Sequence, residues 1–268
     1  MRVSVQIPRL LRRYTHRMVH EFLPDDVARN RIRLAKESLK GAGIEVGALH
    51  NPLSVPRGVR VQYVDRLGTE ALREHYPELD GCLVVKPDII DDGETLSKVG
   101  DSSQDFVIAN HFIEHCENPI KATKNFLRVL RPGGVLFMAI PDKTGTFDNE
   151  RPITTFSHLI KDYEQGPAWS RRDHYMEWTH LVEHVPVGMP QVEHAERLMA
   201  KSYSIHFHVW DHFAMMNFVY NLKQSVGLQF ETRCFLRNAG CEGIFILVKS
   251  AAPREQRQRD GSAKSTKD

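Results

Sequence analysis

No apolar stretch in these 268 residues approaches the length that a bilayer span requires. The basic N-terminal run, with Arg9, Arg12, Arg13 and Arg17 set among leucines, lacks the apolar centre of a signal peptide. Cysteine is scarce, and Cys82, Cys116, Cys234 and Cys241 form no C-x-x-C pair, which argues against a zinc ribbon, a redox dithiol or a disulfide framework. Neither charge dominates: 36 Lys and Arg face 34 Asp and Glu, far from the basic stripe of a protein that grips nucleic acid by its phosphates. The glycines of a G-x-G-x-x-G dinucleotide fingerprint are also missing, which disfavours a nicotinamide enzyme. These absences leave a cytoplasmic protein with no nucleic-acid partner and no integral membrane contact, acting on a small or weakly charged substrate.

What is present is a rhythm of strand and helix. Residues 1–40 read as an N-terminal helical segment, and the glycine-rich stretch Gly41-Ala42-Gly43 stops it before the first strand. Strand-like apolar runs follow at Ile44–Val46, Val59–Val64, Cys82–Val85, Phe106–Ala109 and Val135–Ile140. Between the last two, Asn118 is placed to cap a helix and Pro119 suits its first turn. Strands alternating with helices predict a doubly wound, mostly parallel sheet. Residues 143–204 break the rhythm, being rich in Trp, Tyr, His and charge without a strand signal, and predict a helical lid inserted in a domain that spans 41–250. Its aromatics Tyr163, Trp169, Tyr175 and Trp178 are expected first as the lid's own core. Asp211 is placed to cap a later helix, and runs at Gln229–Phe235 and Ile244–Val248 predict an antiparallel hairpin at the sheet edge. The polar residues 251–268 read as a disordered tail.

In an open parallel sheet, ligands bind beyond the carboxyl ends of the strands. Polar residues and a glycine recur at those ends here. Gly47 follows the first strand and lets a ligand approach the backbone. Asp65 comes twenty residues after Glu45, at the end of the second strand, from which a carboxylate accepts hydrogen bonds from ribose hydroxyls. A ribose without a pyrophosphate is implied.

Four stretches in fixed order, Glu45-Val46-Gly47-Ala48-Leu49-His50-Asn51-Pro52, Tyr63-Val64-Asp65-Arg66, Asp88-Ile89-Ile90-Asp91-Asp92-Gly93-Glu94 and Asn110-His111-Phe112-Ile113-Glu114-His115, resemble the class I S-adenosylmethionine-dependent methyltransferases, in particular a bacterial methyltransferase type 11-like group. The resemblance covers residues 43–142 and implies a seven-stranded Rossmann-like fold with S-adenosyl-L-methionine as cofactor. It implies that Glu45 and Gly47 border the methionine part of the cofactor, Asp65 the ribose, Asp88 with Ile89 or Asp91 the adenine, and Asn110 the methionyl end. Ala48, Arg66 and His111 complete the expected cofactor set. The first loop departs from the broader superfamily in lacking its second and third glycines.

An alcohol acceptor needs a base near neutral pKa. His111, His115 and His208 are the candidates, with Asp142 as an orienter. His206 and His208 alternate along one extended segment and are expected to share a face. His111-Phe112-Ile113-Glu114-His115 also fits the H-x-x-E-H string of inverted zinc proteases, but here it begins at a strand end, whereas that motif lies inside a long helix. A divalent ion on His111, Glu114 and His115 is the milder alternative, and the expected site is metal-free. The resulting expectation is an O-methyltransferase acting on a small molecule or glycan, with a sugar hydroxyl as leading acceptor. A non-catalytic module that binds the cofactor is the rival.

Overall fold

The computed structural model describes residues 25–251; the basic run at 1–24 and the tail from 252 onward lie outside the described residues. In chain order the elements are α1 (Asp25–Ser38), β1 (Ala42–Val46), β2 (Arg60–Asp65), α2 (Thr69–His75), β3 (Ile89–Ile90), β4 (Gln104–Asn110), α3 (Pro119–Val129), β5 (Leu130–Pro141), α4 (Phe156–Gln165), α5 (Arg171–Leu181), α6 (Met189–Ala200), α7 (His212–Gln224), β6 (Phe230–Asn238) and β7 (Glu242–Lys249). The strands form one seven-stranded sheet in the order β3-β2-β1-β4-β5-β7-β6. The pairs among β1 to β5 are parallel, while β7 runs antiparallel to both β5 and β6.

The sheet is covered on both faces, so its central strands read as continuous apolar runs. Along β5, Leu136, Met138 and Ile140 pack with α3 and α7 residues such as Phe126, Leu127, Phe218 and Leu222. The alternate residues Val135, Phe137 and Ala139 pack with Leu34, Ala35 and Leu39 at the end of α1. The period of two assigns each residue to its layer. α3 begins where the sequence marks it: the Asn118 side chain accepts a hydrogen bond from the Lys121 amide at 3.0 Å, and Pro119 is the first helical residue. Asp211 caps α7 in the same way, accepting from the Ala214 amide at 2.7 Å.

The expected strand at Cys82–Val85 does not form; β3 is only Ile89–Ile90. Leu83 is 91% exposed, so the apolar run has no layer to enter. Instead the Val85 amide donates to the Leu49 carbonyl, and the Asp88 backbone and side chain are spent on Tyr63 of β2. The segment between β5 and α7 contains α4, α5 and α6 and carries a small core of its own around Tyr175, Trp178, Ile205 and Phe207.

β1 and β4 approach so closely at Gly43 that a Cβ there would lie 2.3 Å from the Phe106 carbonyl oxygen and 2.5 Å from its ring. Gly43→Ala should therefore destabilise the protein by about 1–3 kcal/mol, because two central strands must part to admit one methyl. Urea denaturation checks this, and an unchanged midpoint would show that the contact yields freely.

Candidate active site

The carboxyl ends of β1, β2, β4 and β5 open into one cavity of about 1480 Å³, roofed by the helical insertion. That exceeds the usual range of about 300–1,000 Å³ for a single small ligand, leaving room for a nucleoside-sized molecule and a second reactant. Glu45, Gly47, Ala48, Asp65, Arg66, Asn110, His111 and His115 all line it. Asp88, Ile89, Asp91, Asp142 and His208 are not among its lining residues.

On the β1 side, Gly47 has φ +66, a conformation that favours glycine, and its amide donates to the Val64 carbonyl. A Cβ on Gly47 would lie 2.8 Å from the Phe112 ring. Glu45 is buried, and its carboxylate accepts from the Leu53 amide at 2.9 Å, folding the loop back on the strand. Burial raises the Glu45 pKa to about 7, against the pull of that bond and of Arg31. Burial likewise raises the pKa of Asp65, opposed by the Arg66 and Leu67 amides and the Arg66 charge. Arg66 reaches across to the insertion, donating to the Ser202 carbonyl at 3.3 Å.

Asn110 ends β4, and neither its amide nitrogen nor its amide oxygen has a partner in the protein, although both are buried. His111 follows with φ +48, an uncommon conformation for a side-chain-bearing residue. It is held there by Glu242, 2.7 Å from its Nε2. Burial works against the Glu242 charge, yet Arg31 and His111 outweigh it and bring the pKa down to about 2. A carboxylate that is ionised only accepts, so His111 Nε2 carries the hydrogen. His115 donates from Nδ1 to the Ile205 carbonyl at 3.0 Å, leaving Nε2 as an acceptor. Burial, with His206 nearby, lowers its pKa to about 3.

Glu114, weighed in the sequence only as a ligand of the alternative metal set, and His206, weighed only beside His208, meet next to these two imidazoles. Glu114 is fully buried with both carboxylate oxygens unpartnered, 4.0 Å from His111 Nδ1 and 4.0 Å from His206 Nε2. Burial raises its pKa while the two imidazoles pull it back. His206 lines the cavity and donates from Nδ1 to Asp148 at 2.6 Å; Asp148 also accepts from Arg151 at 2.8 Å. Burial opposes the Asp148 charge, but these two partners outweigh it and hold the pKa below its ordinary value. Spacing alone gave no sign that position 148 would meet position 206.

His208 alternates with His206 as expected, yet the two point into different surroundings. Two residues of extended chain separate them by about 6.5 Å, enough to put His206 at the cavity and His208 among α4 and α5. Asp142 is also fully buried. It caps the turn after β5, accepting from the Thr144 amide at 3.0 Å and facing His212 and Arg237 at 3.5 Å. Asp91 closes its own loop, accepting from the Asp92 and Lys98 amides and the Ser97 hydroxyl. Its neighbours Asp92, Gly93 and Glu94 are the ones that face the cavity.

Residues 42–138 match the family model described as a methyltransferase domain. This span is a class I S-adenosylmethionine-dependent methyltransferase domain. Its cofactor is S-adenosyl-L-methionine. Among solved structures, a candidate Zn-dependent alcohol dehydrogenase from Rhodobacter sphaeroides is 15% identical with a TM-score of 0.53, covering 91% of this chain and 100% of that one. The likeness extends to the fold alone. A SAM-dependent methyltransferase from Aquifex aeolicus is 12% identical with a TM-score of 0.43, covering 82% of this chain and 89% of that one. A SAM-dependent methyltransferase from Methanosarcina mazei is 14% identical with a TM-score of 0.42, covering 80% and 94%. No curated protein matches the sequence. The sheet order is that of the Rossmann-like methyltransferase fold, and among the described residues no helix is long and apolar enough to cross a membrane.

Arg31 and Glu242 are both buried, so Arg31→Met leaves a carboxylate without its main counter-charge and should cost about 3–5 kcal/mol at neutral pH. The Glu242 pKa is depressed in the folded state, so its contribution is present above the ordinary value of 4.5 and is lost as pH falls through about 2. The stability gap between wild type and Arg31→Met should therefore narrow over that window. Denaturation at stepped pH measures it, and a gap that stays constant would rule out the ion pair as its source.

Proposed function

We propose that this chain is a bacterial, cytoplasmic O-methyltransferase that methylates a sugar hydroxyl. The observation that carries the reading is the His206–Asp148 pair, a carboxylate-oriented imidazole on the wall of the cavity into which the strand-end loops of a methyltransferase domain open. The four cysteines are all free thiols, as suits a reducing compartment.

The residues present fit the cofactor. Asn110 offers an unpartnered amide at the β4 end, Asp65 a carboxylate at the β2 end, and Gly47 and Gly93 two backbone stretches beside Phe112 where added Cβ atoms would collide. In our reading Asp65 accepts from the ribose hydroxyls, Asn110 contacts the methionyl end, and the Gly47 loop with Glu45 and Ala48 borders it. Arg66 anchors the insertion beside that site. For adenine, the reading moves from Asp88, Ile89 and Asp91 to the neighbouring Asp92 and Gly93, which line the cavity. The bound cofactor supplies a sulfonium methyl, an electrophile that needs alignment and a nucleophile rather than activation.

The chain's own task is the acceptor proton. With Nδ1–H committed to Asp148, His206 presents the Nε2 lone pair, takes the hydroxyl proton as the oxygen attacks, and is stabilised as imidazolium by Asp148 and by Glu114 4.0 Å away. His115 stacks edge-on against His206 at 4.7 Å and, held neutral, adds no opposing charge. His111, fixed by Glu242, flanks Glu114 on its other side. Tyr163, Tyr175 and Trp178 on the insertion wall offer apolar faces to a sugar ring, and Glu117, Asn149 and Arg171 offer hydrogen bonds to its hydroxyls.

Asp65→Ala should weaken S-adenosyl-L-methionine binding about ten- to a hundredfold by leaving the ribose hydroxyls unpaired. Calorimetry checks it, and unchanged affinity removes Asp65 from the site. His206→Asn should leave cofactor affinity intact and lower kcat about 10²–10⁴-fold. The acceptor is tested by incubating the protein with methyl-labelled cofactor and a panel of monosaccharides and nucleotide sugars. Label in an alkali-stable methyl ether supports the reading; label on nitrogen or in an ester overturns it. Tight cofactor binding without transfer to any acceptor pool would favour a regulatory module.

A further inference from the structure

Behind the cavity wall lies a second cluster whose members the reaction does not use. His158 and Asp162 stand one turn apart on α4, His174 is on α5, and His208 is on the extended segment that precedes α7. None of the four lines the cavity. One donor atom from each lies within 4.8 Å of every other. His158 Nε2 is 3.2 Å from Asp162 Oδ2 and 3.1 Å from His174 Nε2, and His208 Nε2 is 3.8 Å from the same Asp162 oxygen. A tetrahedron with metal–ligand bonds of 2.0–2.1 Å has edges of about 3.3 Å, so these separations bracket the spacing of a zinc coordination shell.

The electrostatics point the same way. Asp162 is fully buried, and its Oδ2, aimed into the cluster, has no hydrogen-bond partner. A buried carboxylate oxygen facing three imidazoles needs a positive charge beside it, which a cation bound among them supplies. Its other oxygen accepts from the Ser170 hydroxyl at 3.0 Å, which fixes the carboxylate plane as an outer-shell partner does in a metal site.

We propose that His158, Asp162, His174 and His208 hold a Zn²⁺ ion in a closed tetrahedral site that pins the helical insertion to the segment beneath it. Three imidazoles and one carboxylate suit zinc, and four protein ligands leave no open position, which marks the role as structural. The sequence motifs had suggested a chain without metal, because these ligands lie far apart along it. The site bears on function through its neighbours: Tyr163, Arg171 and Phe207, each next to a ligand residue or within three positions of one, face the cavity. Zinc would thus set the shape of the acceptor wall without touching the reacting atoms.

The test is metal analysis of untagged protein produced with added zinc and dialysed. About one zinc per chain is expected, falling to none in His158→Ala/His174→Ala and unchanged in Glu114→Gln, which alters the cavity cluster instead. Cobalt loaded in place of zinc should show the intense visible bands of tetrahedral Co²⁺. If the double variant does not fold, the wild type decides: dipicolinate should lower its Tm and added Zn²⁺ should restore it. Wild-type protein that carries no zinc, zinc that survives in a folded double variant, or a Tm indifferent to chelation and zinc would each overturn the proposal. None of these readouts depends on methyl transfer, so they fail or succeed separately from the proposed activity.

Discussion

The buried ion pair between Arg31 and Glu242 joins the two ends of the described chain at the floor of the cavity. Arg31 comes from the first helix and Glu242 from the start of the last strand, where it pairs in register with Pro141 of β5. Around them Asn238 donates to Glu242 and to the Val27 carbonyl, and Asn30 donates to Asn238. Removing two charges from water is costly, and only a network that satisfies every lone pair tolerates it. Here the network also reaches outward: the second oxygen of Glu242 holds His111, so closure of the domain and orientation of a cavity residue depend on the same carboxylate.

From that floor the site is built by successive crossings of the chain. β4 delivers Asn110 and His111, and the single turn Ile113–His115 then buries Glu114. The Glu114 carbonyl accepts from the Phe207 and His208 amides, which lays the segment after the insertion directly over this turn. That one backbone contact puts His206 beside Glu114 and His208 on the far side of the wall. The helical insertion is therefore fastened at its exit by main-chain bonds, independent of which side chains it carries.

The distribution of imidazoles across this wall follows from desolvation. Desolvation holds His115 and His208 neutral. His206 sits at the cavity surface with a carboxylate on one nitrogen, the arrangement in which an imidazole can accept a proton and have the resulting charge met. Segregating neutral rings from the carboxylate-backed ring lets several histidines coexist within a few ångströms without mutual repulsion.

The sequence by itself determined what depends on near neighbours. The runs Phe106–Ala109 and Val135–Ile140 could only be buried strands, Asn118-Pro119 and Asp211 could only open helices, and the polar residues beyond the β1, β2 and β4 ends had to share the cleft of a parallel sheet. It misled where a local pattern had no layer to join, as at Cys82–Val85, and where a carboxylate was taken up by its own loop, as with Asp91 and Asp142. Tertiary structure alone decided the pairs that matter most to the chemistry: His206 with Asp148, His111 with Glu242, and His208 with the α4 and α5 residues around Asp162. These partners lie tens of residues apart or more, and no periodicity links them. They meet because packing of the insertion and of the C-terminal hairpin fixes the path of the chain, and only that path brings their polar atoms within bonding distance.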